Sequence, residues 1–257
     1  MTDNPFDLDY RESAAELDDF AEVLAADAPT TTGPTYHGDL LQGSDEWLQA
    51  RCGLLTASEM KLIITATGKV ANNDKTRTHA YELAFQRITG FVEPQYVSDA
   101  MLRGQEDEIY ARAAYSEHYA DVTETGFITN DKWGFTIGYS PDGLVGDDGL
   151  IECKSRAGKY QVQTIATDEV PEEYWLQLQT ALLVSEREWV DFISYSGGQP
   201  VYVKRVYADP ALQAAIIAAA TAFEARIADV IREYHATLAR MPKLIPTERR
   251  EIEEIII

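Results

Sequence analysis

The segment Gly138–Arg156, GYSPDGLVGDDGLIECKSR, gathers the residue types that hydrolysis of a phosphate ester needs. Asp142 stands at a Pro-Asp-Gly turn, nine residues intervene, and Glu152-Cys153-Lys154 follows on a β-rich run. Side chains on a strand alternate faces, so Glu152 and Lys154 share one face while Cys153 points away. A hairpin would fold Asp142 back towards them. Two carboxylates brought that close repel unless a cation neutralises them, and hard oxygen donors favour Mg²⁺ or Mn²⁺ over zinc. A neighbouring lysine would then orient water or stabilise charge on an attacked phosphorus. Read alone, the same residues also describe an ordinary hairpin turn and a solvated strand face, and both readings stay open at this point.

The elements that must carry these residues follow from pattern. Ser44 caps a short helix that ends at Gly53, and TASEMKLIITATGK suggests a second, with Thr56 or Ser58 at its start. Asn73–Gly90 reads as a longer helix with Ala80, Leu83, Ala84 and Ile88 at helical spacing, and residues 98–120 as another. The short β-rich runs DVTETGFIT, WGFTIGYS, DGLVGDDG and LIECKSR suggest antiparallel hairpins. A helix over Pro171–Ser185, the strands EWVDFISYS and PVYVKRVYA, and an Ala-rich helix from about Pro210 to Ala239 complete the body. The expected fold class is α/β (α+β), a central mixed sheet flanked by helices. Residues 1–36 read as an acidic N-terminal extension with APTTTGPTYHG as its linker, residues 37–246 as the folded domain, and residues 247–257 as a tail.

Composition sets the bounds. The chain has 257 residues, 45% hydrophobic, enough for a substantial core, and no apolar run approaches the ~20 residues of a membrane helix. Cys52 and Cys153 are its two cysteines, which excludes a disulfide framework and a four-cysteine zinc or iron–sulfur site. A reducing, cytoplasmic setting is expected, and no membrane partner. The net charge of −21 argues against nucleic acid, since polyanion binders place Lys and Arg where they touch phosphate. The charge is uneven, however: residues 1–29 hold nine acids and one base. Net charge governs solubility and steering, not what one cleft binds.

Four blocks together resemble a known family. GSDEWLQARCGLLTASE (43–59), LRGQEDEIYAR (102–112), SPDGL…GLIECK (140–154) and YWLQLQTALLV (174–184) are similar, in order, to the signature blocks of the phage lambda exonuclease type of alkaline exonuclease. These are the YqaJ-like viral recombinase nucleases of the PD-(D/E)xK superfamily, with a restriction-endonuclease-like core. The resemblance implies that Asp142, Glu152 and the Cys153 backbone carbonyl hold Mg²⁺, two ions with Mn²⁺ able to substitute, and that Lys154 acts on the water. Glu108, four residues after Gly104, would help complete the metal site. Gln179, with Gln177 as the other candidate, would hydrogen-bond within it. Arg51, Ser58 and Ser140 would grip a 5′-terminal phosphate, although Ser58 reads equally as an N-cap. Met101 and Leu102 would form the wedge that splits the terminal base pair.

The function so implied is a 5′→3′ exonuclease that degrades one strand of linear double-stranded DNA to 5′ mononucleotides and leaves 3′ overhangs for phage-type recombination. The resemblance further implies a homotrimer, a single-strand annealing protein as partner, and a phage or prophage origin in a bacterial host. The family's basic DNA-facing residues are matched in part, by Lys61, Lys69, Lys75 and Arg77. Two rivals remain at this level: an end-processing or structure-specific endonuclease on the same core, and a degenerate, non-catalytic binding module.

Overall fold

A computed structural model describes residues 33–65, 67–94 and 98–249. Residues 1–32 of the expected acidic extension and the tail beyond Arg249 lie outside the described residues. Strand β1 (Pro34–His37) is followed by α1 (Asp45–Arg51), β2 (Leu55–Thr56), a 3-10 helix (Ala57–Leu62), α2 (Asp74–Thr89) and α3 (Asp99–His118). Four strands come next, β3 (Phe127–Asn130), β4 (Ile137–Tyr139), β5 (Gly143–Val145) and β6 (Gly149–Ser155). Helices α4 (Gly158–Thr167) and α5 (Glu172–Ser185), strands β7 (Trp189–Tyr195) and β8 (Tyr202–Tyr207), and α6 (Pro210–Leu238) complete the order.

The mixed α/β class is as the sequence pattern implies, but the strands form two four-stranded sheets rather than one: β1-β3-β4-β2 and β5-β6-β7-β8. Pro141 falls between β4 and β5. It has no N–H to give a ladder, and the chain changes sheet across Ser140-Pro141-Asp142. The β5–β6 pair is the antiparallel hairpin that the glycines and aspartates announce, whereas β6 and β7 run parallel in full register from Gly149↔Trp189 to Ser155↔Tyr195. Parallel neighbours need a crossover, and α4 with α5 supplies it.

Three elements depart from the sequence reading. The stretch read as linker contains β1, whose Pro34–His37 pairs antiparallel with Phe127–Asn130 of β3. TASEMKLIITATGK forms only a six-residue 3-10 helix. Helix α4 has no counterpart in the pattern, since Val162, Thr164, Ile165 and Thr167 are β-branched and Ala157 offers no capping side chain. The predicted caps of other helices are in place: Ser44 Oγ accepts from Trp47 N at 3.2 Å and Asn73 Oδ1 from Thr76 N at 3.1 Å.

The second sheet is covered on both faces. Leu150, Val190, Phe192 and Val206 join Leu178, Ala181, Leu182 and Val184 of α5 and Ile216, Phe223 and Ile227 of α6 in the larger core. Ile151, Cys153, Trp189 and Ile193 form a second core with Ala111 and Tyr115 of α3. Each large apolar side chain so enclosed contributes about 1.5–3 kcal/mol. The alternation that sends Ile151 and Cys153 towards α3 turns Glu152 and Lys154 the other way. The hairpin also depends on a missing side chain, for a Cβ at Gly149 would fall 2.2 Å from the Trp189 ring.

Candidate active site

Strand β6 delivers Glu152 and Lys154 side by side. Lys154 Nζ lies 2.6 Å from Glu152 Oε1, and the Glu152 side chain is only 2% exposed. Three donors hold that carboxylate in place: Lys154, Gln177 Nε2 on the same Oε1 at 2.5 Å, and the Tyr139 hydroxyl on Oε2 at 2.9 Å. The hairpin returns Asp142 as its pattern predicts, and the Cys153 amide donates to Asp142 Oδ2 at 2.5 Å. Helix α3 contributes from the other side. Arg112 Nη1 donates to the Asp142 carbonyl at 2.9 Å and to Glu108 Oε1 at 3.2 Å, and so ties the helix that carries Glu108 to the turn that carries Asp142.

The charges show what the cluster lacks. Burial, then the Glu152 and Glu108 carboxylates, push Asp142 well above the ordinary carboxylate range, against Lys154 and the Cys153 amide. Glu108 is raised as well, first by burial, with Arg112 opposing and Glu152 adding to the rise. For Lys154, burial pulls downward but the facing Glu152 and Asp142 outweigh it, so its ammonium is held charged. Three acids therefore share Lys154 and Arg112, an excess of hard anionic oxygen that a divalent cation would neutralise. Among the described residues no three His, Cys, Asp or Glu side chains are brought close enough together to hold a metal ion as they stand. The donor set nonetheless fits Mg²⁺ or Mn²⁺ in type: carboxylate oxygens only, with the Cys153 thiol turned into the α3 core and its ionisation suppressed mainly by burial.

A second group of side chains adjoins the first. Arg51, in the last turn of α1, places Nη1 3.0 Å from Ser140 Oγ, two residues before Asp142. Trp47 Nε1 donates to the same Oγ at 3.1 Å, and its ring lies 4.3 Å from the Arg51 guanidinium carbon, which fixes the plane of the fork. Burial lowers the Arg51 pKa, with Glu59 opposing. Thr56, not Ser58, begins the 3-10 helix: its amide and hydroxyl both donate to Glu59 Oε2, at 3.1 and 2.6 Å. Ser58 is left exposed, with its Oγ 3.3 Å from Thr56 Oγ1. Met101 and Leu102 stand 47% and 54% exposed in the first turn of α3, two turns ahead of Glu108 on the same helix.

Gln179 is not at the site. It is fully buried on the far side of α5, where Nε2 donates to the Tyr207 carbonyl and Oε1 accepts from the Asp209 amide. Residues two apart on a helix face different directions, so only one of Gln177 and Gln179 can reach β6, and it is Gln177. Arg112, Tyr139 and Trp47 were not singled out by the sequence. Arg112 had a signal in its i,i+4 spacing from Glu108. Trp47 had none beyond lying in the first block, and Tyr139 none beyond directly preceding the third.

The fold and site thus define an α/β protein with an Asp, Glu and Lys set on a hairpin, completed from a helix and flanked by an Arg–Ser pocket. The model of the YqaJ-like viral recombinase domain matches residues 46–188. The chain belongs to this lambda exonuclease-like family. Among solved structures it is similar to the alkaline exonuclease LHK-Exo from Laribacter hongkongensis, at 35% identity and a TM-score of 0.68 over 77% of this chain and 99% of that one. The complex of LHK-Exo with dAMP gives 36% identity and a TM-score of 0.69 over the same shares. A phage related exonuclease from Haemophilus somnus 129PT shares the fold, at 14% identity and a TM-score of 0.51 over 70% of this chain and 96% of that one. No curated protein matches.

Proposed function

We propose that this chain is a DNA nuclease of recombination, and specifically a divalent-metal-dependent 5′→3′ exonuclease that acts on linear duplex ends. The observation that carries the reading is the adjacency of two sites. The Arg51–Ser140 pair sits two residues from Asp142, so an end anchor and a hydrolytic centre share one turn. The similarity to the alkaline exonuclease LHK-Exo supports the same reading.

Asp142, Glu152 and Glu108 would hold the metal, with the Cys153 carbonyl as a further oxygen. When bound, it supplies Lewis-acid polarisation of water and of the phosphate. The chain's own residues do the rest. Arg51, with Ser140 and Ser58, grips the 5′-terminal phosphate by charge-assisted hydrogen bonds. Lys154 donates to the oxygen that attacks phosphorus or to the developing charge there, and Gln177 and Tyr139 keep Glu152 from rotating. Water adds to the second phosphate and the P–O3′ bond breaks. The first nucleotide leaves with the proton on its 3′ oxygen, and the shortened strand keeps a new 5′ phosphate. Met101 and Leu102 would part the terminal base pair. A ring of three subunits, a single-strand annealing partner and a phage or prophage origin in a bacterial cytoplasm belong to the same proposal.

The test is incubation with Mg²⁺ and a linear duplex labelled at one 5′ end, beside a closed circle and a Lys154→Ala variant. Labelled mononucleotide from the linear DNA only, and none from the variant, is the expected result. Cutting of the circle at the same rate would make the chain an endonuclease, and an untouched duplex would make it a binding module.

A further inference from the structure

Just past the hydrolytic centre the chain changes electrical character. It is strongly acidic overall, yet from Lys154 to Thr167 it carries Lys154, Arg156 and Lys159 and not one acid. Arg156 follows Lys154 by two residues, a step of about 6.6 Å along an extended chain, comparable to one nucleotide along a backbone. Tyr174 bridges the two cations: its ring centre lies 5.5 Å from Lys154 Nζ and 5.4 Å from the Arg156 guanidinium carbon.

The Arg156 side chain is only 8% exposed, and its Nε is buried without a hydrogen-bond partner among the described residues. One nitrogen of the fork, Nη1, is engaged by Glu173 Oε1 at 2.5 Å and by the Tyr174 hydroxyl at 2.8 Å. Glu173 is itself 60% exposed, a carboxylate that can swing away into water. A buried guanidinium with an idle donor is a group in want of a ligand. Tyr160 flanks the other side, its ring 5.2 Å from the Arg156 carbon and 4.8 Å from Lys159 Nζ. Immediately after Arg156, helix α4 begins with no side-chain cap on its first turn. Arg156 also lines a groove of about 930 Å³ with Lys204 and Arg205, and with the acids Asp168, Glu169, Glu172 and Glu173.

The geometry points to a second phosphate site, built by Arg156, Lys159 and the N-terminus of α4, that holds the phosphate next to the scissile one on its 3′ side. In the DNA-free protein Glu173 occupies the Arg156 fork as a stand-in anion, and the strand displaces it. This rests on the nuclease reading and adds to it the residues that keep the uncut strand in line. Three features make an anion site here: a planar fork, an exposed lysine and a helix N-terminus without a side-chain cap.

The sign of two substitutions separates this role from a structural one. Binding of a 5′-phosphorylated duplex oligonucleotide in EDTA, read by fluorescence anisotropy, should weaken about five- to tenfold in Arg156→Ala and less in the exposed Lys159→Ala. Each change should reduce the steepness of the salt dependence by about one. Glu173→Gln, which frees the fork, should bind severalfold more tightly. A structural ion pair would make Arg156→Ala and Glu173→Gln fail in the same direction, and that result overturns the proposal. A duplex with one neutral methylphosphonate at the position 3′ of the scissile phosphate should cost the wild type affinity and cost Arg156→Ala nothing further. Equal losses in both proteins would likewise overturn it. Mg²⁺-dependent hydrolysis of the unmodified duplex by the wild type checks the nuclease reading separately.

Discussion

Gln177 Nε2 and Glu152 Oε1 lie 2.5 Å apart, on the same carboxylate oxygen that Lys154 holds at 2.6 Å. The helix α5 amide thus fixes which way the Glu152 carboxylate faces, and leaves Lys154 as the other arm of a three-way contact. Gln177→Ala should lower turnover about 10- to 100-fold, the usual cost of losing a group that orients a ligand, with little change in stability. Gln179→Ala should do the reverse. It strips a buried bridge between α5 and the β8–α6 junction and should cost about 1–3 kcal/mol of stability. Single-turnover kinetics beside urea unfolding of both variants separates the two effects.

Stability without metal should depend on pH in an unusual direction. Asp142 and Glu108 have folded pKa values raised above their unfolded ones, in both cases chiefly through burial. The native state therefore binds more protons, and the contribution of these groups is fully present below the ordinary carboxylate range, about pH 4. It is lost as pH rises through the folded values. In EDTA, Asp142→Asn should melt above the wild type at pH 8 and near it at pH 4. Mg²⁺ at a hundred times its Kd should raise the wild-type midpoint by about 5–10 °C and leave the variant little changed. Differential scanning calorimetry across pH reads both, and a wild type that is most stable at pH 8 in EDTA would refute the charge argument.

The Arg51–Ser140 contact predicts a preference for phosphorylated ends. Arg51→Ala should slow digestion of 5′-phosphorylated duplexes by about thirtyfold, equivalent to roughly 2 kcal/mol of charge-assisted hydrogen bonding. On 5′-hydroxyl ends the loss should be slight. Initial rates on the two ends decide it, and equal losses would remove Arg51 from the pocket.

Away from the cleft, Asp191 is buried in the second sheet, where Tyr115 donates to it at 2.6 Å and Arg205 at 2.9 Å through two nitrogens. Tyr115 lies on α3, so this contact also seats the helix that carries Glu108. Arg205→Ala leaves a buried carboxylate short of its cation and should cost about 3 kcal/mol. The pair Asp191→Leu with Arg205→Leu should recover most of the loss, as urea midpoints would show.

The residues of the candidate site on β6 were legible because a strand's period is two. Glu152-x-Lys154 has one geometry if the run is a strand, and the Gly-rich turn before it can only bring Asp142 back. Gln177 and Gln179 were ambiguous because the rotation of α5 about its own axis is set by Leu178, Ala181 and Leu182 meeting two sheets and another helix, which no local pattern records. Helix α4 is not legible in the sequence for a related reason. Its residues prefer strand intrinsically, and packing of Gln161 and Thr164 against the second sheet overrides that preference. The division into two sheets was written in Pro141, but a proline in a turn looks the same whether the chain returns to its own sheet or leaves it.

That proline has a further consequence. On the proposed reading Ser140 belongs to the end anchor and Asp142 to the cutting centre, and the chain between them is a single ring-locked residue whose carbonyl Gln42 holds at 2.8 Å. Two residues of chain span at most about 7 Å, so the protein carries a covalent ruler of fixed length. On the proposed reading, fragment size is then a property of the turn rather than of the DNA: every cut yields one nucleotide whatever the base, and a residue inserted after Pro141 would recalibrate the gauge.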